Sequence, residues 1–115
     1  MEETNVVEAL AALAQPTRLR AFRALVEAGP DGLHAGALAD ATGVPASTLS
    51  SHLARLEHAG LVGSRRASRN IFYTVQIEPV RRLLAYLVRD CCGGRPELCG
   101  DLAQAFTTPR REPVS

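Results

Sequence analysis

The strongest constraint on this chain is a change of rhythm near residue 60. Before it, apolar residues recur every third or fourth position; after it, from Leu61 to Val75, the pattern alternates. The first pattern buries one stripe of a helix and the second one face of a strand, so helices must come first and a hairpin after them. Asn5 followed by Glu8 has the spacing of a capping box, and Val6, Leu10 and Leu13, with Val7 and Ala14, trace an apolar face. A first helix is therefore predicted over residues 5–14. Pro16 suits the first turn of a second helix carrying Leu19, Phe22, Leu25 and Val26, which Gly29-Pro30 ends. A short turn at Asp31-Gly32 leads to a brief third helix over about residues 34–41, with Leu38 and Ala41 inward. Thr42-Gly43-Val44-Pro45 breaks it. From Ala46 a fourth helix carries Leu49, Leu53 and Leu56 in one row and stops at Gly60.

Beyond Gly60, Leu61-Val62 opens a strand, residues 65–70 are polar, and Ile71-Phe72-Tyr73-Thr74-Val75 is β-branched and aromatic, which reads as a hairpin. Glu78-Pro79 starts a fifth helix with Val80, Leu83, Leu84, Leu87, Val88 and Cys91 on one stripe, closed by Gly93-Gly94. Pro96 begins a last short helix to about Phe106, and residues 107–115, rich in Pro and Arg, read as a frayed tail. A length of 115 residues, without an internal repeat or a long linker, fits one domain over residues 1–106. Aromatics are 4% and Trp is absent, so the core must be Leu, Val and Ala, which favours a mainly helical fold.

No apolar run approaches the roughly 18 residues needed to cross a bilayer, and the start, MEETNVVEAL, is acidic where a secretory signal would be basic. A cytoplasmic protein without membrane contact is expected. Three cysteines suit a disulfide framework poorly, and a reducing cytosol would keep them as thiols. Net charge is only +1, so any affinity for nucleic acid has to come from where the charges sit.

A short helix, a glycine turn, a second helix and a two-stranded hairpin follow one another in the order of a winged helix-turn-helix. With its leucines buried, the fourth helix exposes Ser47, Thr48, Ser50, Ser51, His52 and Arg55, and no acid occurs from Val44 to Leu56. Small hydroxyl residues let a helix backbone sit deep in the major groove of double-stranded DNA, while Arg55 and His52 can reach guanine acceptors or phosphates. Arg65, Arg66 and Arg69 are expected to cluster at the hairpin tip, where a wing follows the backbone or enters the minor groove. Solvation alone would also explain exposed Ser, Thr and Arg; their position beside a groove-sized helix favours DNA.

The stretches LAQPTRLRAFRALVEAG and STLSSHLARLEHAGLVGSRRASRNIFYTV resemble the ArsR/SmtB family of metal-responsive bacterial repressors, over about residues 10–87. The most specific signature is Thr48-Leu49-Ser50-Ser51-His52-Leu53, with Leu56 and Ala59-Gly60-Leu61-Val62 behind it. The resemblance implies a homodimer joined through the first and fifth helices, repression by operator binding, and release on binding a toxic metal or metalloid. One departure lies at the wing tip, where the family often has Glu-Gly and this chain has Ala67-Ser68.

All three cysteines, Cys91, Cys92 and Cys99, fall in RDCCGGRPELCG. The family's Cys pair at the start of the third helix and its Asp/His pairs on the fifth are missing, since His34, His52 and His58 all precede that helix. The layout resembles the arsenic-responsive branch, whose site is a vicinal pair and a third Cys beyond a glycine turn; on that basis the three carry over as ligands of As(III) or Sb(III). The chemistry agrees, because these soft ions with a lone pair take three thiolates in a pyramid. Zinc or cadmium, with Asp90, Glu97 or Asp101 as a fourth ligand, and a thiol redox switch through Cys99 remain open. A thiol reductase is disfavoured: no histidine accompanies the thiols and there is no nucleotide-binding glycine loop. An interaction module that no longer reads DNA is a further alternative.

Overall fold

Six leucines, Leu25, Leu38, Leu49, Leu53, Leu56 and Leu61, are fully buried and bind the architecture together. The computed structural model describes residues 2–92, with side chains as far as Val88. The elements are α1 (Glu3–Leu13), α2 (Pro16–Ala28), a 3-10 turn (Gly29–Asp31), β1 (Leu33–His34), α3 (Ala35–Thr42), α4 (Ala46–His58), β2 (Val62–Ala67), β3 (Asn70–Val75) and α5 (Ile77–Cys92). Helices α2, α3 and α4 pack on one another, and the strands form an antiparallel sheet in the order β1-β3-β2. This is a mainly helical winged helix-turn-helix with a β-hairpin wing, as the change of period predicts.

Local chemistry fixes the helix ends. Pro16 opens α2, and the Gln15 side chain accepts from the Arg18 N–H at 2.8 Å, satisfying one free donor of the first turn. His34 does the same for α3, its Nδ1 accepting from the Ala37 N–H at 3.2 Å. The end of α4 is a Schellman motif: Gly60 takes a φ of 83°, its N–H reaches the Glu57 carbonyl, and the Leu61 N–H reaches the Leu56 carbonyl at 3.1 Å. Leu56 and Leu61, the pair this motif brings into contact, are both buried, so one glycine ends α4 and aims the chain into the hairpin.

Four local readings are corrected. α1 begins at Glu3, two residues before Asn5, and no side chain caps it. Within α1 the chain buries Val6, Ala9 and Ala12, while Val7 and Leu10 stay 57% and 40% exposed; two alanines let α1 lie close against α2 and α4, which turns the larger apolar residues outward. In α3 the inward residue after Leu38 is Thr42, not Ala41, because the Thr42 hydroxyl satisfies itself on the Leu38 carbonyl at 2.8 Å and can be buried. Finally, residues 31–34 are more than a turn: Leu33 and His34 pair with Tyr73 and Phe72 as a third strand. Gly32 makes that possible, since its φ is 74° and a Cβ there would collide with the Tyr73 carbonyl.

α5 follows the wing and packs against α1. Leu83 is buried beneath it, Val80, Tyr86 and Leu87 lie at the edge of the core, and Ile77 is 63% exposed. Gly93-Gly94, the last short helix to Phe106 and the tail 107–115 lie outside the described residues. No helix among the described residues is long and apolar enough to cross a membrane.

Candidate nucleic-acid interface

The reading face of α4 follows from its buried row. With Leu49, Leu53 and Leu56 inside, Ser47, Thr48, Ser50, Ser51 and Arg55 are exposed, as expected, and His52 is half-buried. The Ser50 hydroxyl donates to the Ser47 carbonyl at 3.1 Å and the Ser51 hydroxyl to the Thr48 carbonyl at 3.2 Å. Each serine oxygen thus turns lone pairs outward, suited to the amino groups of adenine or cytosine, and can rotate to donate instead. Glu57, the first acid after this face, accepts a 2.7 Å hydrogen bond from the Ser64 hydroxyl on β2.

His52 is not simply a free surface donor. Its Nδ1 lies 3.2 Å from Arg18 Nη1, and Arg18 Nε also donates to the Ala12 carbonyl at 2.6 Å. A guanidinium has no acceptor, so the imidazole nitrogen facing it must offer its lone pair. Sequence reasoning did not single out Arg18, which stands 34 residues from its partner and is one of three arginines in α2.

The wing departs from the expected tip cluster. Arg65 and Arg66 are strand residues, paired across the ladder with Phe72 and Ile71, and only Arg69 sits in the two-residue turn between Ala67 and Asn70. Side chains alternate across a strand, so Arg65 and Arg66 lie on opposite faces. Ser64 shares its face with Arg66 and looks towards α4 through Glu57. Arg65 is on the other face, its guanidinium 5.0 Å from the centre of the Phe72 ring and donating to the Asp31 carbonyl at 3.2 Å. His34, the other cross-strand neighbour of Phe72, meets that ring edge-on at 5.7 Å. The three arginines are therefore split between two faces and a turn. At the turn, Ser68 takes a φ of 60°, the pattern of a type II′ turn, whose first central position favours glycine.

Tyr73, in the middle of β3, lies across from Ser64 and Leu33. Burial pushes its phenol above the ordinary value of 10.0, and the Glu57 carboxylate adds to the rise.

Cys91 and Cys92 fall in the last turn of the α5 backbone, and Cys99 lies outside the described residues. Among the described residues there is no group of three His, Cys, Asp or Glu that could hold a metal ion.

The comparisons agree with this geometry. A family model described as a helix-turn-helix domain matches residues 13–65. The chain is 37% identical over 83 residues to the HTH-type transcriptional regulator YgaV of Escherichia coli K12, covering 72% of this chain and 82% of that protein. It is 33% identical over 88 residues to the transcriptional activator HlyU of Vibrio cholerae, covering 76% of this chain and 79% of that protein. The structure of reduced HlyU is similar to it with a TM-score of 0.61 at 31% identity, covering 77% of this chain and 90% of that one. So is the homodimeric winged helix-turn-helix domain of Mb0332 from Mycobacterium bovis, a possible ArsR-family regulator, with a TM-score of 0.62 at 26% identity over 94% of this chain and 89% of that one. A helix-turn-helix followed by an arginine-bearing wing, in a chain whose relatives are transcriptional regulators, identifies it as a DNA-binding member of the ArsR/SmtB-like family of winged helix-turn-helix transcriptional regulators.

Proposed function

We propose that this regulator acts as a homodimeric repressor that leaves its operator when As(III) or Sb(III) binds Cys91, Cys92 and Cys99. The observation that carries the dimer is the outward apolar stripe of α1: Val7 and Leu10 face away from the core of their own chain, and a second copy buries them. The Mb0332 domain, which is homodimeric, supports a two-fold assembly here. The donor set supports the inducer. Three thiolates without an imidazole match the soft, pyramidal preference of trivalent arsenic and antimony, and two of these cysteines end the helix that packs on α1. Spacing between the two reading helices is what a two-fold operator measures, so a ligand at the end of α5 acts by favouring one spacing over the other. To move the balance from 1:99 to 99:1 it must prefer one arrangement by about 10⁴-fold.

Footprinting of the full chain on DNA, with arsenite titrated in, tests the reading. Arsenite should clear the operator of wild type and leave the triple Cys→Ser variant bound; an operator still occupied at saturating arsenite overturns the inducer. X-ray absorption of the loaded protein should find three sulfur neighbours and no nitrogen or oxygen shell. One second reading has an observation behind it: the relative HlyU has a structure in a reduced form, and the same thiols could form a disulfide. Release by peroxide, reversed by a dithiol and indifferent to arsenite, would select it.

A further inference from the structure

Arg18 sits where two parts of the molecule meet. One of its nitrogens holds the Ala12 carbonyl near the end of α1, the helix with the outward stripe; another holds His52 on α4, the helix with the reading face. Neither contact is local, and Arg18 is half-buried, so the guanidinium is a fixed part of the junction. The consequence for His52 is chemical. Because the partner can only donate, Nδ1 carries the lone pair and the neutral ring keeps its proton on Nε2. Without the arginine, either nitrogen can hold that proton, and the donor form must be drawn from a mixture of the two tautomers.

We propose that Arg18 is a positioning residue for operator recognition: it presets His52 as a hydrogen-bond donor, so that α4 pairs at that position with an acceptor on the DNA. The acceptor is either a major-groove base edge (purine N7, guanine O6 or thymine O4) or a phosphate oxygen. The inference rests on α4 as the reading helix and is independent of the thiols. It also makes Arg18 a polar link between the end of α1 and the reading face, beside the direct packing of α1 on α4.

The test has two parts. In the wild-type full chain, long-range nitrogen–proton NMR of the imidazoles should find His52 as a single neutral Nε2–H tautomer; an Nδ1–H tautomer, or an averaged mixture, overturns the proposal. For DNA, a duplex enriched by the wild-type chain from a random-sequence pool serves as the probe for Arg18→Met, His52→Ala and the double variant. His52→Ala should weaken binding about tenfold, the scale of one well-placed hydrogen bond; Arg18→Met, which removes the preset and leaves the ring able to donate, should weaken it about twofold, and the double should bind no worse than His52→Ala alone. Losses that add in the double variant overturn the proposal, since Arg18 would then act without His52. Single-base-pair changes in the duplex separate the acceptors: both variants lose discrimination at one shared pair if it is a base edge, and at none if it is a phosphate. Arg18→Lys, which keeps a donor, should restore part of the affinity; no rescue, in a chain that melts like wild type, counts against it. Should Arg18→Met fail to fold, the wild-type tautomer still decides. A wild-type chain that enriches no duplex removes the DNA reading itself, and the proposal with it.

Discussion

Ser64 donates a 2.7 Å hydrogen bond to Glu57 Oε2, tying the first strand of the wing to the last turn of the reading helix. Both side chains are exposed, so the bond adds only about 0.5–1 kcal/mol to folding. It spans from α4 to the wing, beside the Gln76 N–H that donates to the Leu61 carbonyl at the base of the hairpin. Ser64→Ala should leave the melting temperature within a few degrees of wild type and weaken operator binding by roughly threefold to tenfold. Fluorescence anisotropy on a selected duplex measures it; unchanged affinity would mean that the backbone alone sets the wing.

The three wing arginines should contribute unequally. Each phosphate that a variant no longer neutralises makes the slope of log K against log salt shallower by about 0.9. Arg69→Ala, in the turn, and Arg66→Ala, on the face shared with Ser64, should each show a change of that size. Arg65→Ala should show much less, because its guanidinium is already engaged by Phe72 and the Asp31 carbonyl. Equal changes for all three would place Arg65 on the DNA.

Ser68 carries the one positive φ of any non-glycine among the described residues. Glycine there removes a steric cost of about 1 kcal/mol, so Ser68→Gly should raise the melting temperature by a few degrees. Calorimetry checks this, and a lower melting temperature would show that the Ser68 side chain makes a compensating contact.

Tyr73 should ionise above the ordinary phenol value of 10.0 in an alkaline titration followed by phenolate absorbance. Desolvation is the main cause and Glu57 the lesser one, so Glu57→Gln should bring the midpoint only part of the way back towards 10.0. A phenol whose folded value lies above its unfolded one keeps its proton longer in the native state. Its contribution to stability is complete below about pH 10 and falls as pH rises towards the folded value. A Tyr73→Phe chain should lose that alkaline slope while keeping the fold.

How much of this is legible in the residues alone is clearest at α4. The row Leu49, Leu53 and Leu56, the stop at Gly60 and the acid-free outer face are local in sequence, and local spacing determines which way a helix faces. The switch to alternation at Leu61 placed the wing for the same reason, and the thiol cluster is visible in the order of residues alone. Tertiary structure decided what depends on partners far along the chain. Periodicity marks a residue as apolar but not which neighbour covers it, so only packing could show that α1 buries its alanines and turns Val7 and Leu10 outward. Strand pairing brought residues 33–34 to 72–73, and the hairpin ladder, running out to Ala67 and Asn70, took Arg65 and Arg66 away from the tip. The Arg18 to His52 contact spans 34 residues, and no pattern of local spacing encodes a hydrogen bond that exists only once two helices have crossed.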